Sequence, residues 1–152
     1  MDGDRVASVT IFYDLADLQM FAEGQDLPAT VDGSFHQAYA DAWTSGDVST
    51  VLSLYAPNAI RHDGLVGIEA TGPEAIAAEV ERWFKLVPGA TWAIQVPFAE
   101  TYGEHAGAVF SVDHDGCPVE IGIVFDLDDA DLITRELVHY DPASLRACGW
   151  IG

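Results

Sequence analysis

The chain has 152 residues, 49% of them apolar and 20% charged, which fits one compact globular domain and excludes a disordered chain. Asp and Glu number 25 against 6 Lys and Arg, so the formal net charge is -19, and such an acidic surface disfavours nucleic acid and membrane as partners. The start "MDGDRVAS" has no signal-peptide pattern, and no apolar run approaches the roughly 18 residues of a membrane span, which predicts a cytoplasmic protein.

The predicted helices come before most of the strands. From Ser34 apolar residues recur at three- and four-residue spacing, which indicates a helix that "TSGD" ends. A second helix is predicted from Val48 to Tyr55, followed by a short strand in "AIRHDG". The segment "TGPEAIAAEVERWFKLVPG" gives the clearest helix, because Pro73 suits a first turn and one face is apolar.

The rest of the chain has the pattern of strands. Four are predicted, in "TWAIQVPFAETY", "HAGAVFSVDH", "PVEIGIVFDL" and "LITRELVHY", with "DHDG" and "DDAD" as turns between them. This order predicts an α+β fold in which a curved antiparallel sheet wraps around three helices. Cys117 and Cys148 are too few and too distant for a disulfide framework, so we expect both to be free thiols.

Four short motifs occur in order along the chain: the helix junction "W-x-x-G-D", then "Y-A-P-N-A", "G-P-E-A-I" and finally "H-Y-D-P-A-S-L". Over about residues 34–145 the sequence resembles the nuclear transport factor 2-like superfamily, specifically its SnoaL-like polyketide cyclase and ketosteroid isomerase branches. The resemblance implies a cone-shaped α+β barrel with a deep apolar cavity for a small hydrophobic molecule. It also implies a homodimer formed through the outer face of the sheet.

Residues 1–33 form a separate unit in this interpretation, before a SnoaL-like domain over residues 34–152. "VTIFYDLADL" near the start and "ELVHYDPASL" near the end share Tyr, Asp, Ala and Leu at the same four places. We therefore expect an extra strand over Val6 to Asp14 and a short helix over Leu15 to Phe21, resembling a duplicated domain ending. An extra strand must find an edge, in its own sheet or swapped into a partner chain. The alternative is a chance similarity.

The resemblance to ketosteroid isomerases also carries candidate catalytic residues. It places Tyr39 where these enzymes hold an enolate-like oxygen, and Asp63 where they move a proton. A carboxylate in an apolar cavity has a raised pKa, which suits a general base. Ile123 stands where these families have a further acidic residue. The alternative for Asp63 is a turn residue that caps the strand before Gly64.

Strand alternation links Asp63 to its neighbours. If Asp63 faces the cavity, Arg61 does too and His62 faces away, whereas the opposite register gives His62 to the cavity as an acid-base group. An inward Arg61 is expected to pair with Asp63 and lower its pKa.

Six further positions are candidates for contacting a substrate. They are Trp43, Arg61, Trp83, Trp92, Ile123 and His139. No glycine-rich phosphate loop occurs, so no cofactor is predicted, and the acidic "DHDG" is a solvated turn rather than a metal site. Limonene epoxide hydrolases share the fold, but Val138 stands where that family has an Asp, which disfavours their activity.

Two functions remain from this reasoning. The first is a cofactor-independent isomerase, cyclase or lyase that moves a proton on a small hydrophobic carbonyl compound, polyketide- or steroid-like, with Asp63 or His62 as the base and Tyr39 stabilising charge on oxygen. The second is a non-catalytic module of the same fold that binds a hydrophobic ligand or drives oligomerisation.

Overall fold

The structure is a computed structural model that describes residues 34–64, 67–99 and 105–152. The predicted N-terminal strand and helix, Val6 to Asp14 and Leu15 to Phe21, lie outside these residues. Among the residues described, no helix has the length and apolar character needed to cross a membrane.

The helices are α1 Ser34–Ser45, α2 Val48–Leu52, α3 Pro73–Leu86 and α4 Pro142–Ala147. Asp47 caps α2 by accepting from the backbone N–H groups of Ser49 and Thr50. Helix α2 is shorter than predicted, because Tyr55, its predicted last residue, lies in a strand. The Leu54 carbonyl already accepts from Ile133 N–H at 2.8 Å, which ties the chain into the sheet at this point.

The six strands are β1 Tyr55–Asp63, β2 Ile68–Thr71, β3 Thr91–Ala99, β4 His105–His114, β5 Cys117–Leu127 and β6 Ile133–Tyr140. They form one curved, unclosed sheet in the order β2-β1-β6-β5-β4-β3. The meander from β3 to β6 is antiparallel as predicted, whereas β1 pairs with β6 in parallel. The strand β2 was not predicted, and β1 begins before "AIRHDG".

Helices α1 and α3 lie against the inner face of this sheet, so the predicted α+β architecture is confirmed. Aromatic rings fill much of the interior. The Tyr39 ring lies 5.2 Å from that of Phe110 and 4.9 Å from that of Phe125, and the Trp43 ring lies 5.0 Å from that of Trp92. These side chains are at most 8% exposed and account for a large share of the buried apolar surface.

Both predicted turns are confirmed by their side-chain hydrogen bonds. In "DHDG" the Asp113 carboxylate accepts from Gly116 N–H at 2.9 Å, and Asp115 and Gly116 both have positive φ. In "DDAD" the Asp128 carboxylate accepts from the N–H groups of Ala130 and Leu132. These acidic residues therefore organise hairpins.

The expectation of two free thiols is wrong, because Cys117 and Cys148 form a disulfide. Helix α4 folds back and brings the two Cα atoms within 5.7 Å, although 31 positions separate them in the chain. Their separation along the sequence did not predict this contact, because the antiparallel strands β5 and β6 bring the chain back to the same end of the sheet. Disulfides form and persist mainly in oxidising surroundings.

Candidate functional site

Strand β1 presents alternate side chains to the interior of the protein. Arg61 and Asp63 are each 1% exposed, while His62, between them, points to the opposite face of the sheet. The structure thus adopts the register in which Asp63 and Arg61 share the interior.

Glu136 on β6 is the centre of a sealed group of polar side chains. It is 0% exposed and accepts hydrogen bonds from Tyr39 Oη and, at 2.7 Å, from Tyr55 Oη. Arg61 Nη1 forms a salt bridge with Glu136 and also donates to Tyr55 Oη at 3.3 Å. We call these four residues, Tyr39, Tyr55, Arg61 and Glu136, the Glu136 cluster.

The Glu136 cluster strongly fixes its own protonation states. Burial raises the pKa of Tyr39 and of Tyr55 well above the ordinary phenol value, and the negative charge of Glu136 adds to the rise. Burial alone would lower the pKa of Arg61, but the adjacent Glu136 raises it well above its ordinary value. Both phenols therefore stay neutral and Arg61 stays charged.

The expectation that Arg61 pairs with Asp63 is wrong. In the parallel pairing of β1 with β6, Arg61 lies directly beside Glu136, whereas Asp63 lies beside Val138. Residues directly opposite across neighbouring strands are closer than residues two apart on one strand. The salt bridge follows this strand pairing, which the isolated "RHD" motif did not reveal.

Asp63 has a different set of partners. Its carboxylate accepts from Tyr140 Oη at 2.8 Å and forms a salt bridge of 3.1 Å with Arg82 Nη2 on α3. Arg82 also pairs with Glu79, at 2.9 Å, and its side chain is 37% exposed. We call Asp63, Arg82 and Tyr140 the Asp63 cluster.

The Asp63 cluster connects the interior to the surface. Burial raises the pKa of the Tyr140 phenol, and the Asp63 charge raises it further, so this hydroxyl also stays protonated. Because Arg82 reaches solvent, opening its contact with Asp63 would return the Arg82 charge to water, while the buried Asp63 carboxylate would keep the hydrogen bond from Tyr140.

The remaining predicted site residues fall in two places. Ile123 is 0% exposed and lies between Ala108 and Val138 in the sheet, so its surroundings are apolar. His139, like His62, lies on the outer face of the sheet, where burial and the nearby His62 lower its pKa. Tyr39 donates to Glu136, whereas Asp63 accepts from Tyr140 and Arg82, so the two predicted catalytic residues belong to different clusters.

A cleft open to solvent lies beside both clusters. It is lined by Trp43, Thr44, Gly46, Trp83, Phe84, Val87, Gly89, Ala90 and Trp92. The Arg61 guanidinium lies 5.1 Å from the Trp43 ring centre, and the Tyr140 ring lies 5.4 Å from that of Trp83. One indole ring therefore separates the cleft from each cluster. The structure brings all three predicted tryptophans to this cleft.

Sequence reasoning missed Glu136, Tyr55 and Arg82. A usable signal was present for one of them, since Glu136 is in phase with the buried Val138 and Tyr140 along β6. A charged residue on the apolar face of a strand indicates a buried partner. Arg82 had no comparable signal, because its pairing with Asp63 depends on how α3 lies across β1. In the part of the chain that the structure describes, no group of three or more potential metal ligands is found.

Residues 36–136 match the SnoaL-like domain family. Among solved structures, a protein with a ketosteroid isomerase-like fold from Catenulispora acidiphila, in complex with trimethylamine, is similar with a TM-score of 0.63 and 22% identity, covering 74% of this chain and 89% of that one. A SnoaL-like protein of unknown function from Burkholderia thailandensis has a TM-score of 0.65 and 16% identity, covering 76% and 98% of the two chains. No match is found among curated proteins.

These identities are too low to transfer an activity, but the fold agrees over most of each chain. The family match covers more than half of the chain, including α1, β1 and α3, and it reaches Glu136 on β6. The chain is therefore a member of the SnoaL-like domain family within the nuclear transport factor 2-like superfamily.

Proposed function

We propose that the protein is a cofactor-independent isomerase, cyclase or lyase that moves a proton on a small hydrophobic carbonyl compound, with Asp63 as the base. The observation that carries this proposal is the Asp63 cluster itself. It holds a carboxylate that is 1% exposed, next to an aromatic cleft, and bonded to one partner that can turn towards solvent. Buried carboxylates with movable partners are suited to proton transfer.

The proposed reaction begins when the substrate enters from the cleft and its carbon next to the carbonyl reaches Asp63 past the edge of Trp83. The Asp63 carboxylate removes a proton from this carbon, and the electron pair of the C–H bond forms an enolate. Protonation removes the negative charge that Tyr140 and Arg82 had been stabilising. Their O–H and N–H groups then become available to the enolate oxygen, where the charge now resides.

The proton can return from Asp63 to a different carbon, which is an isomerisation. The same enolate can instead attack a second carbonyl within the substrate, which is a cyclisation, or expel a leaving group, which is a lyase reaction. In each case Asp63 gives up its proton and its carboxylate is regenerated. The proton goes to carbon in the isomerisation, to the new alkoxide oxygen in the cyclisation, and to the departing group in the lyase reaction. The choice among these depends on the substrate.

The two other predicted catalytic residues, Tyr39 and His62, do not act on the substrate in this proposal. Tyr39 donates its only hydroxyl proton to Glu136, so stabilising a substrate oxygen would require it to exchange partners. In the Glu136 cluster Tyr39 instead helps to fix Glu136, which pairs with Arg61 next to the Trp43 ring. His62 faces away from the interior and is not part of the proposed reaction.

A second candidate function is ligand binding without turnover. It is favoured by the pairing of both buried carboxylates with cations, because a carboxylate held in a salt bridge has to leave that partner before it can act on a substrate. The related Catenulispora protein in complex with trimethylamine shows that a protein of this fold can be solved with a small bound molecule.

Deuterium uptake from D₂O into 2-tetralone, an enolisable two-ring ketone, tests the proposal by NMR without requiring the natural substrate. The wild type should accelerate exchange above buffer, and Asp63→Asn should reduce the enzyme-dependent rate by about a hundredfold or more. His62→Ala should retain the rate, as should Asp141→Asn, a matched change at an exposed carboxylate.

Two results would contradict this assignment. Equal exchange by Asp63→Asn and the wild type removes Asp63 as the base. Binding of the ketone by the wild type with no exchange above buffer supports the binding module.

A further inference from the structure

Two carboxylates share the Arg82 guanidinium, and Glu79 holds it more firmly than Asp63 does. Glu79 accepts from Arg82 Nε at 3.0 Å and from Arg82 Nη2 at 2.9 Å. Asp63 accepts from Arg82 Nη2 at 3.1 Å. The cation of the Asp63 cluster therefore has a strong partner outside that cluster.

The electrostatics of Arg82 follow the same order. Burial alone would lower the pKa of Arg82, but the hydrogen bonds and charge of Glu79 raise it above its ordinary value, and the charge of Asp63 adds a smaller rise. Glu79 is 13% exposed and lies three positions before Arg82 on α3, where the two side chains are neighbours. Glu79 thus provides most of the electrostatic attraction that holds the guanidinium.

The proposed reaction requires Arg82 to release Asp63 and yet to stay close to it. Asp63 Oδ2 accepts from Arg82 and Asp63 Oδ1 accepts from Tyr140, so the departure of Arg82 makes one carboxylate oxygen available to the substrate. The enolate that forms next is stabilised by donors that are already in position. A guanidinium released to water would have to be ordered again, at a cost in side-chain entropy.

Glu79 and Trp83 can keep Arg82 in position while its contact with Asp63 is open. The Arg82 guanidinium can stay bonded to Glu79 through Nε, and it also lies 5.5 Å from the centre of the Trp83 ring. All three residues belong to α3, so this hold does not depend on the contact with β1.

We propose that Glu79 is a positioning residue for the reaction at Asp63, because it retains Arg82 beside the carboxylate while the contact between Arg82 and Asp63 opens and closes. This inference rests on the proposed function, since it adds a residue to the same site. Glu79 does not touch the substrate and acts only through Arg82.

Deuterium uptake into 2-tetralone tests this role by comparing substitutions on α3. Glu79→Ala should lower the enzyme-dependent kcat by about tenfold and change KM by less than about twofold, because the substitution misplaces Arg82 and not the ketone. Glu79→Gln keeps an acceptor without the charge, so its rate should fall between those of Glu79→Ala and the wild type. Glu81→Ala is the matched control, since Glu81 is exposed and lies 3.7 Å from Lys85, and it should retain the rate.

A double substitution separates positioning from a general effect on folding. If Glu79 acts through Arg82, adding Glu79→Ala to Arg82→Gln should cause no further loss of rate. Losses that multiply in the double variant would overturn the inference.

NMR of the Arg82 Nε–H group tests the retention of Arg82 without any reaction. Its signal is the one that disappears in Arg82→Gln. Hydrogen exchange of this group with water should stay slow in Asp63→Asn, where Glu79 still accepts from Nε, and should become at least about fivefold faster in Glu79→Ala. Exchange that Glu79→Ala leaves unchanged, or that is equally fast in both variants, would overturn the inference.

Failure of the proposed function gives a different pattern. A wild type without deuterium uptake above buffer refutes catalysis, and a slow Arg82 Nε–H that depends on Glu79 then still supports the retention of Arg82. Equal deuterium uptake by the wild type and Glu79→Ala refutes this inference alone.

Discussion

Glu136 and Asp63 are buried carboxylates on adjacent strands, but their surroundings differ. Glu136 accepts from two phenols and a guanidinium that are all buried, so none of its partners can turn to water. The partners of Asp63 include a buried phenol and a guanidinium that is 37% exposed. The environment of Glu136 is therefore fixed within the core, whereas the environment of Asp63 can rearrange.

The largest expected effect is the loss of folding stability when either carboxylate is removed. Glu136→Ala leaves Arg61 charged and unpaired in the core, and we expect it to lower the free energy of unfolding by about 3–5 kcal/mol. Asp63→Ala should cost less, about 1–3 kcal/mol, because Arg82 can turn to solvent. Urea denaturation with linear extrapolation measures both values. Equal losses would mean that the two clusters are equally sealed.

The next largest effect is a loss of folding stability at high pH. Burial and the neighbouring carboxylates raise the pKa of Tyr39, Tyr55 and Tyr140, so the folded state favours the neutral phenols. Their contribution to stability is complete below the unfolded pKa of about 10 and is lost as the pH rises through the folded values. Absorbance of phenolate near pH 11 should therefore report at most two of the five tyrosines in the folded protein.

Substitution of single tyrosines shows how much each cluster contributes to the loss of stability at high pH. Burial raises the pKa of Tyr55 and of Tyr140, and a neighbouring guanidinium opposes the rise in each, Arg61 beside Tyr55 and Arg82 beside Tyr140. The two tyrosines differ because Arg82 is 37% exposed and its cluster can open at high pH, whereas Arg61 is buried. Tyr55→Phe should therefore flatten the alkaline loss of stability more than Tyr140→Phe does. A larger effect of Tyr140→Phe would show that the Asp63 cluster does not open.

The smallest expected effect is that of Arg82. Arg82→Gln leaves the buried Asp63 carboxylate with the hydrogen bond from Tyr140, and the Gln amide can still donate to it, so we expect the free energy of unfolding to fall by about 1–2 kcal/mol. The loss should shrink in about 1 M salt, where charges are screened within about 3 Å. Arg61→Gln is the matched change in the sealed cluster, and its larger cost should persist in salt. A loss at Arg82 as large and as salt-insensitive as that at Arg61 would contradict the proposed movement of Arg82.

Local patterns in the sequence predicted the elements well. The helix α3 and the turns "DHDG" and "DDAD" depend on residues close together in the chain, and all were found. The inward register of Asp63 also followed from alternation once its face was chosen. Helix α2 was predicted too long because a short apolar segment fits either a helix or a strand. Strand β2 was not predicted because its four residues are too few to give a clear pattern.

The partners of the site residues could not be predicted in the same way. Glu136 meets Arg61 only because β1 and β6 are neighbours, and Arg82 meets Asp63 only because α3 crosses β1. The disulfide between Cys117 and Cys148 likewise depends on the return of α4 to the start of β5. Such contacts between distant parts of the chain are properties of the topology, and a single sequence contains no direct record of them.

The parallel pairing of β1 with β6 has a consequence for the order of folding. It joins the first described strand to the last one, and Arg61 and Glu136 are 75 positions apart along the chain. Pairing over such a distance incurs the full entropy of closing a long loop and is expected late. Glu136 and Tyr140 both lie on β6, so a chain still emerging from the ribosome without this strand has neither cluster complete, although Asp63 can already meet Arg82 on α3.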